Sequence, residues 1–141
     1  MKSSVFDHQP YVKRVEKPWG FELHLTRKDS PYMVKILHIN VGKRLSLQVH
    51  DQKTESWILK QGEVIMILEN PKGELEKVLM EPDVGYTTKL GQKHRLVAVI
   101  DSEVFEASTL EIGTTIRLED DYARPNETEE MRKDPNRGWN S

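Results

Sequence analysis

Four side chains of metal-binding type, Gln48, His50, Glu55 and His94, stand where an extended chain could bring them together. From Arg44 to His50 alternate side chains point to opposite faces, so Arg44, Ser46, Gln48 and His50 share one face and Leu45, Leu47 and Val49 the other. Alone, such a strand reads as a solvated outer face over an apolar inner one. Glu55 changes that reading: it follows His50 across a short polar connection, where an antiparallel return sets its carboxylate opposite Gln48 and His50. His94 follows the Gly91-Gln92-Lys93 turn and opens another strand, so its imidazole is expected in the same cavity. Two imidazoles, a carboxylate and an amide oxygen suit one divalent ion, Zn²⁺, Fe²⁺, Mn²⁺, Co²⁺ or Ni²⁺. Held by a single carboxylate, such an ion keeps positive charge with which to polarise a hydroxyl or carbonyl.

The elements that must position these residues are short. From Tyr32 to Leu110, runs rich in Val, Ile and Leu alternate with Gly, Pro, Asn and Asp, which predicts an all-β domain. Strands are expected at Tyr32 to Val41, Leu45 to Val49, Ser56 to Lys60, Val64 to Glu69, Glu76 to Met80, Gly85 to Thr88, Arg95 to Ile100 and Val104 to Thr109. Gln61-Gly62 reads as a tight hairpin between antiparallel neighbours, and Asn70-Pro71-Lys72-Gly73 as a longer turn. About eight short strands avoid open edges by closing into a barrel or double-sheet jelly roll. After Pro125 the only large apolar side chains are Met131 and Trp139, so residues 125–141 are expected to be an irregular tail or a dimer arm on a domain spanning residues 1–124.

Composition narrows the function. A length of 141 residues fits one domain, and the absence of cysteine excludes thiolate nucleophiles, iron–sulfur clusters and disulfides. With 21 Lys and Arg against 23 Asp and Glu there is no basic excess, so no nucleic acid partner is expected. The longest aliphatic run, Val64 to Leu68, is far short of the roughly 20 residues that span a bilayer, and no membrane partner is expected. Asp7 and Pro10 interrupt the place where a signal peptide would be apolar, so the expected location is cytoplasmic. His8, His24 and His38 lack ligand-spaced partners and read as surface or half-buried residues.

The order Gly42, Gln48, His50, Glu55, Gly62 has the spacing of the first cupin motif, with Gln where His is usual. Gln48 at that position resembles the phosphomannose isomerases, and Leu45-Ser46-Leu47-Gln48-Val49-His50 followed by Glu55-Ser56-Trp57 resembles their type II form. Lys17-Pro18-Trp19-Gly20 is similar to that family's opening segment, His94-Arg95-Leu96 to its second-motif histidine, and Ile116 to Arg124 to its closing segment. Asp83 and Lys89 stand where the family has Gly and Pro, and Ala123 replaces the usual Gly between Tyr122 and Arg124.

The resemblance implies a cupin jelly roll, a mononuclear metal site, and interconversion of mannose 6-phosphate and fructose 6-phosphate. Zinc is the metal expected first and a small phosphorylated sugar the expected partner. Lys53 and Arg124 are the expected catalytic residues, and Arg44 and Ser46 the expected substrate contacts. Lys53 or a metal-bound hydroxide is offered as base, Glu106 as an orienter behind the metal, Trp57 as a core residue, Trp19 as a plug at the barrel end, and Glu119-Asp120-Asp121 as a solvated acidic turn. By analogy with cupins, a homodimer is expected. Two other functions share these residues: a non-catalytic cupin that binds a sugar or sugar nucleotide, and a non-haem iron oxygenase using two His and one Glu.

Overall fold

A computed structural model describes residues 11–138. His8, Trp139 and the N-terminal segment used in the localisation argument lie outside the described residues. Eleven strands form: β1 (Lys13–Lys17), β2 (Gly20–His24), β3 (Met33–Ile39), β4 (Leu47–His50), β5 (Glu55–Gln61), β6 (Val64–Glu69), β7 (Leu75–Leu79), β8 (Tyr86–Thr87), β9 (His94–Ala98), β10 (Ser102–Ser108) and β11 (Thr115–Glu119). They build two antiparallel sheets, β1-β2-β3-β10-β5-β8 and β11-β4-β9-β6-β7, facing one another as a jelly roll. No helix among the described residues is long and apolar enough to cross a membrane.

The eight expected strands all form, within a few residues of their expected bounds. Three were missed: β1, β2 and β11. Their inward positions carry charge, Lys17 on β1 and Glu22 with His24 on β2, so the apolar alternation that reveals a half-buried strand is absent from their sequences. One turn differs in kind. Gly62 joins β5 to β6, yet these strands do not pair; they lie in opposite sheets, and the turn carries the chain from one to the other. Gly62 has φ +99°, and a Cβ there would sit 2.2 Å from Ser102 Oγ, so both the backbone and the space require glycine. The Asn70 to Gly73 turn forms as expected, with Asn70 Oδ1 accepting from the amides of Lys72 and Glu74 between the paired strands β6 and β7.

Between the sheets, inward side chains change character along each strand. On β3 they run Lys35, Leu37, Ile39; on β5 Glu55, Trp57, Leu59; on β10 Glu106, then Val104. One end of the interior is therefore apolar, closed by Trp19, Leu37, Ile39, Trp57, Val64, Met66, Leu96 and Val104. The other is ionic. Trp19 and Trp57 are 2% and 1% exposed, in keeping with the plug and core roles expected of them.

Residues 126–138, the described part of the segment after Pro125, are neither extended nor separate. Glu127 exchanges backbone hydrogen bonds with Thr115 on β11, Arg132 donates to the Gly113 carbonyl, and Arg137 pairs with Glu111 and Glu127. At Gly138 a Cβ would lie 1.8 Å from the Glu16 carbonyl oxygen, so the segment docks flush against β1. Instead of reaching outward as an arm, it covers the ionic end of its own barrel.

Candidate metal centre

Three of the four expected ligands converge at the ionic end. His50 closes β4, Glu55 opens β5 and His94 opens β9, and one ligand atom from each lies within 4.8 Å of the others. Gln48 faces His94 directly in the β4–β9 register. His94 Nε2 lies 2.8 Å and His50 Nε2 3.2 Å from Glu55 Oε1. All three residues are at most 4% exposed.

The surrounding hydrogen bonds select the ring nitrogens that face inward. His94 Nδ1 donates to the Gln92 carbonyl at 2.9 Å, which leaves its Nε2 with a lone pair toward the centre, and His50 Nδ1 lies 3.1 Å from Thr115 Oγ1, a hydroxyl able to donate or accept. His94 Nε2 and Glu55 Oε2 are buried without a hydrogen-bond partner, a costly arrangement that a cation would relieve. Burial, reinforced by Lys53 and His94, pushes the His50 pKa down and favours the neutral imidazole that a metal needs. Burial alone would raise the Glu55 pKa, but the Lys53 ammonium, with the His50, His94 and Glu106 side chains beside it, holds it well below the usual range. These residues fit a divalent ion. Gln48 turns its oxygen to Ser46 Oγ at 2.7 Å and its nitrogen toward His50; a half-turn of the amide would face the oxygen inward and leave Ser46 Oγ to accept from the amide NH₂.

Beyond the ligands lies a cavity of about 50 Å³, walled by side chains of both signs, among them Lys17, Lys53, Arg117, Arg124, Glu106 and Glu127. Lys53 Nζ stands 3.4 Å from Glu55 Oε2; burial disfavours its charge, but Glu55 and Glu106 keep it protonated above the ordinary lysine value. It is thus an ammonium, poorly suited to the expected role of base. Glu106 accepts from Trp57 Nε1 at 3.1 Å, and burial together with the adjacent Glu55 charge pushes its pKa up to about 8. Arg124 lines the cavity with its guanidinium fixed on Asp120 at 2.9 and 3.0 Å and on the Gly138 carbonyl at 3.2 Å.

Two expectations do not hold. Arg44 shares a face with Ser46 only if alternation continues, but β4 begins at Leu47, and both Leu45 and Ser46 face the cavity. Arg44 instead lies outside, paired with Asp121 at 2.7 Å. Asp120, expected in solvent, is buried against Arg124, although Glu119 and Asp121 are exposed as expected. His24 is also more buried than expected, 2.9 Å from Glu22. Lys17, Lys35, Glu22, Glu111, Glu127 and Arg137 were not foreseen at all. For the first three the signal lay in period-two alternation across strands with charged interiors.

Asp83 and Ala123, which replace glycines of the resembled family, have φ of 63° and 54°. Those positions require the left-handed conformation that glycine adopts freely.

The comparisons agree with this geometry. Residues 6–126 match the family model described as mannose-6-phosphate isomerase C-terminal. The xanthan biosynthesis protein XanB of Xanthomonas campestris is 30% identical over 129 residues, covering 88% of this chain, though the chain spans only 26% of that protein. Among solved structures, an oxalate decarboxylase from Bacillus subtilis matches with TM-score 0.65 at 13% identity, covering 75% of this chain and 30% of that one. KdgF from Halomonas sp. matches with TM-score 0.57 at 19% identity, covering 66% and 82%; both share the fold. With the model matched over most of its length, the chain belongs to the mannose-6-phosphate isomerase C-terminal family.

Proposed function

We propose that this chain is a metal-dependent sugar-phosphate isomerase that interconverts mannose 6-phosphate and fructose 6-phosphate, with Zn²⁺ the metal considered first. The observation that carries it is the convergence of His50, Glu55 and His94, all buried and with ligand atoms within 4.8 Å of one another, at the head of a cavity lined by charged side chains. His50, Glu55, His94 and the turned Gln48 would hold the ion. When bound, it supplies a positive charge that polarises the substrate's carbonyl and hydroxyl oxygens.

The chain's own groups divide the remaining work. Moving a proton between adjacent carbons needs a carrier beside the sugar; of the described acidic side chains outside the ligand set that line the cavity, Glu22, Glu106, Glu111 and Glu127, Glu106 is the one beside Glu55 and fixed through Trp57 Nε1. Lys53, as an ammonium, supports negative charge on a substrate oxygen. Arg124 and Arg117 are suited to anchor the phosphate, Arg117 Nε being buried without a hydrogen-bond partner. The roughly 50 Å³ cavity holds a few waters, so a hexose phosphate enters only if the wall made by Glu127 and Arg137 moves outward. That same volume favours a second reading, ligand binding without turnover.

Metal analysis with a coupled assay on hexose 6-phosphates tests both. The isomerase reading expects bound metal and turnover in the wild type, with both lost in His50→Ala; bound metal without proton exchange at C2 in deuterated water removes it and favours the binding reading.

A homodimer and a cytoplasmic location are part of the proposal. Leu23, Ile36, Phe105 and Ile58 form a continuous apolar row on the outer face of β2, β3, β10 and β5, the last two 37% and 44% exposed. Its rim carries both signs in Lys60 and Glu103, 2.8 Å apart, so a two-fold copy would meet matching charge. Sedimentation should show a dimer for the wild type and a monomer for Phe105→Lys; a monomeric wild type overturns this part alone.

A further inference from the structure

A second cavity lies beside the first, outside the ionic end. Its volume is about 430 Å³, against about 50 Å³ for the metal cavity on the same measure. Lys13 of β1 and Lys28 of the turn after β2 stand at its rim; His24, Arg137 and Glu111 are also among its walls. Among the described residues Glu111 is the sole carboxylate that lines it, and it is already engaged by Lys35 and by Arg137 at 3.2 Å. Neither Lys13 nor Lys28 has an ion-pair partner among the described residues, and Arg137 Nε is buried without a hydrogen-bond partner. Among the described residues the cavity therefore has more positive charge than its carboxylate balances.

We propose that this outer cavity is a phosphoryl-binding site, separate from the metal cavity, in which Lys13, Lys28 and Arg137 receive the oxygens of a phosphate group. Tetrahedral, dianionic phosphate can accept from several cations at once where a planar carboxylate accepts in one plane, and a guanidinium presents paired N–H donors to it. Crowding of like charge is visible at Lys13: burial, then the Arg137 guanidinium, with Lys28 and Lys35 adding, holds its pKa below the ordinary lysine value in spite of Glu111. A dianion would relieve that repulsion. The Glu111–Arg137 pair faces both cavities, so an anion competing for Arg137 would loosen the wall between them.

The site goes beyond the isomerase reading and does not depend on it. The test titrates the full chain with inorganic phosphate, pyrophosphate and a hexose 6-phosphate, each with and without metal, following the amide shifts of Lys13, Thr26 and Lys28. Saturable shifts are expected in metal-free protein as in loaded protein, and K13Q/K28Q, which alters only exposed side chains, should weaken binding roughly tenfold or more. Tighter binding of the ester than of inorganic phosphate identifies an esterified ligand, the reverse order a free phosphate; either order supports the site. Absence of saturation, equal affinity in K13Q/K28Q, or shifts confined to Gln48 and His50 and dependent on metal would overturn it, whatever the isomerase assay returns.

Discussion

Lys35 and Leu37 are neighbouring inward positions on one strand, and each belongs to a different interior. Leu37 is packed among Trp57, Val104 and other apolar side chains, 1% exposed. Lys35, 2% exposed, lies among the carboxylates of Glu22, Glu106 and Glu111. The apolar end holds through area removed from water, a sum of many small contacts that tolerates imperfection. The ionic end holds through compensation: each charge is tolerable only while its partners remain. The candidate ligands sit where the interior is charged, because a cluster of buried imidazoles and carboxylates needs fixed charge nearby.

Substitutions can break that contrast. Lys35→Met should be the most damaging, roughly 3–5 kcal/mol by chemical denaturation, because three buried carboxylates lose their shared cation. Adding Glu111→Leu should recover part of the loss; a double variant worse than the single one would mean that Lys35 does not work by compensation. Leu37→Ala should cost about 2–5 kcal/mol, with no recovery from any charge change, and the metal content of the folded fraction should be unaltered.

Acid should separate the two ends. Opposed burial notwithstanding, Lys17, Arg137 and Arg117 hold the Glu127 pKa at about 2, below its unfolded value near 4.3. A depressed folded pKa contributes stability that is present above the unfolded pKa and is lost as pH falls through the folded one. Glu127 should therefore lose roughly 3 kcal/mol of stabilisation between about pH 5 and 2. Hydrogen exchange should show residues 126–138 opening before β6 and β9; simultaneous opening would mean the ends are not energetically distinct. The smallest effect is expected at Ala123, whose φ of 54° suits glycine: Ala123→Gly should raise stability by about 1 kcal/mol, read as a shift in the denaturation midpoint.

The sequence was most legible where strand interiors are apolar. Val64 to Glu69 was delimited correctly because Val64 and Met66 alternate with half-buried positions against a turn-rich flank. The ligand cluster was legible through spacing, since His50 and Glu55 flank one short connection and His94 opens the strand that pairs with Gln48. Illegible were the walls of the cavity. Lys17, Glu22 and Lys35 look like surface residues because local pattern does not reveal that their partners, Glu111, Glu127 and Arg137, arrive from distant parts of the chain. Arg44 was misread for a related reason: alternation was extended one step beyond the point where β4 begins.

Arg137 and Gly138 follow every other wall residue in chain order, and Gly138 completes the seam with Glu16 near the opposite end of the described chain. During synthesis the barrel strands leave the ribosome first, so the ligand cluster can assemble while its chamber still has an open side. Sealing comes last, which gives a nascent molecule an interval in which an ion can reach His50, Glu55 and His94 directly.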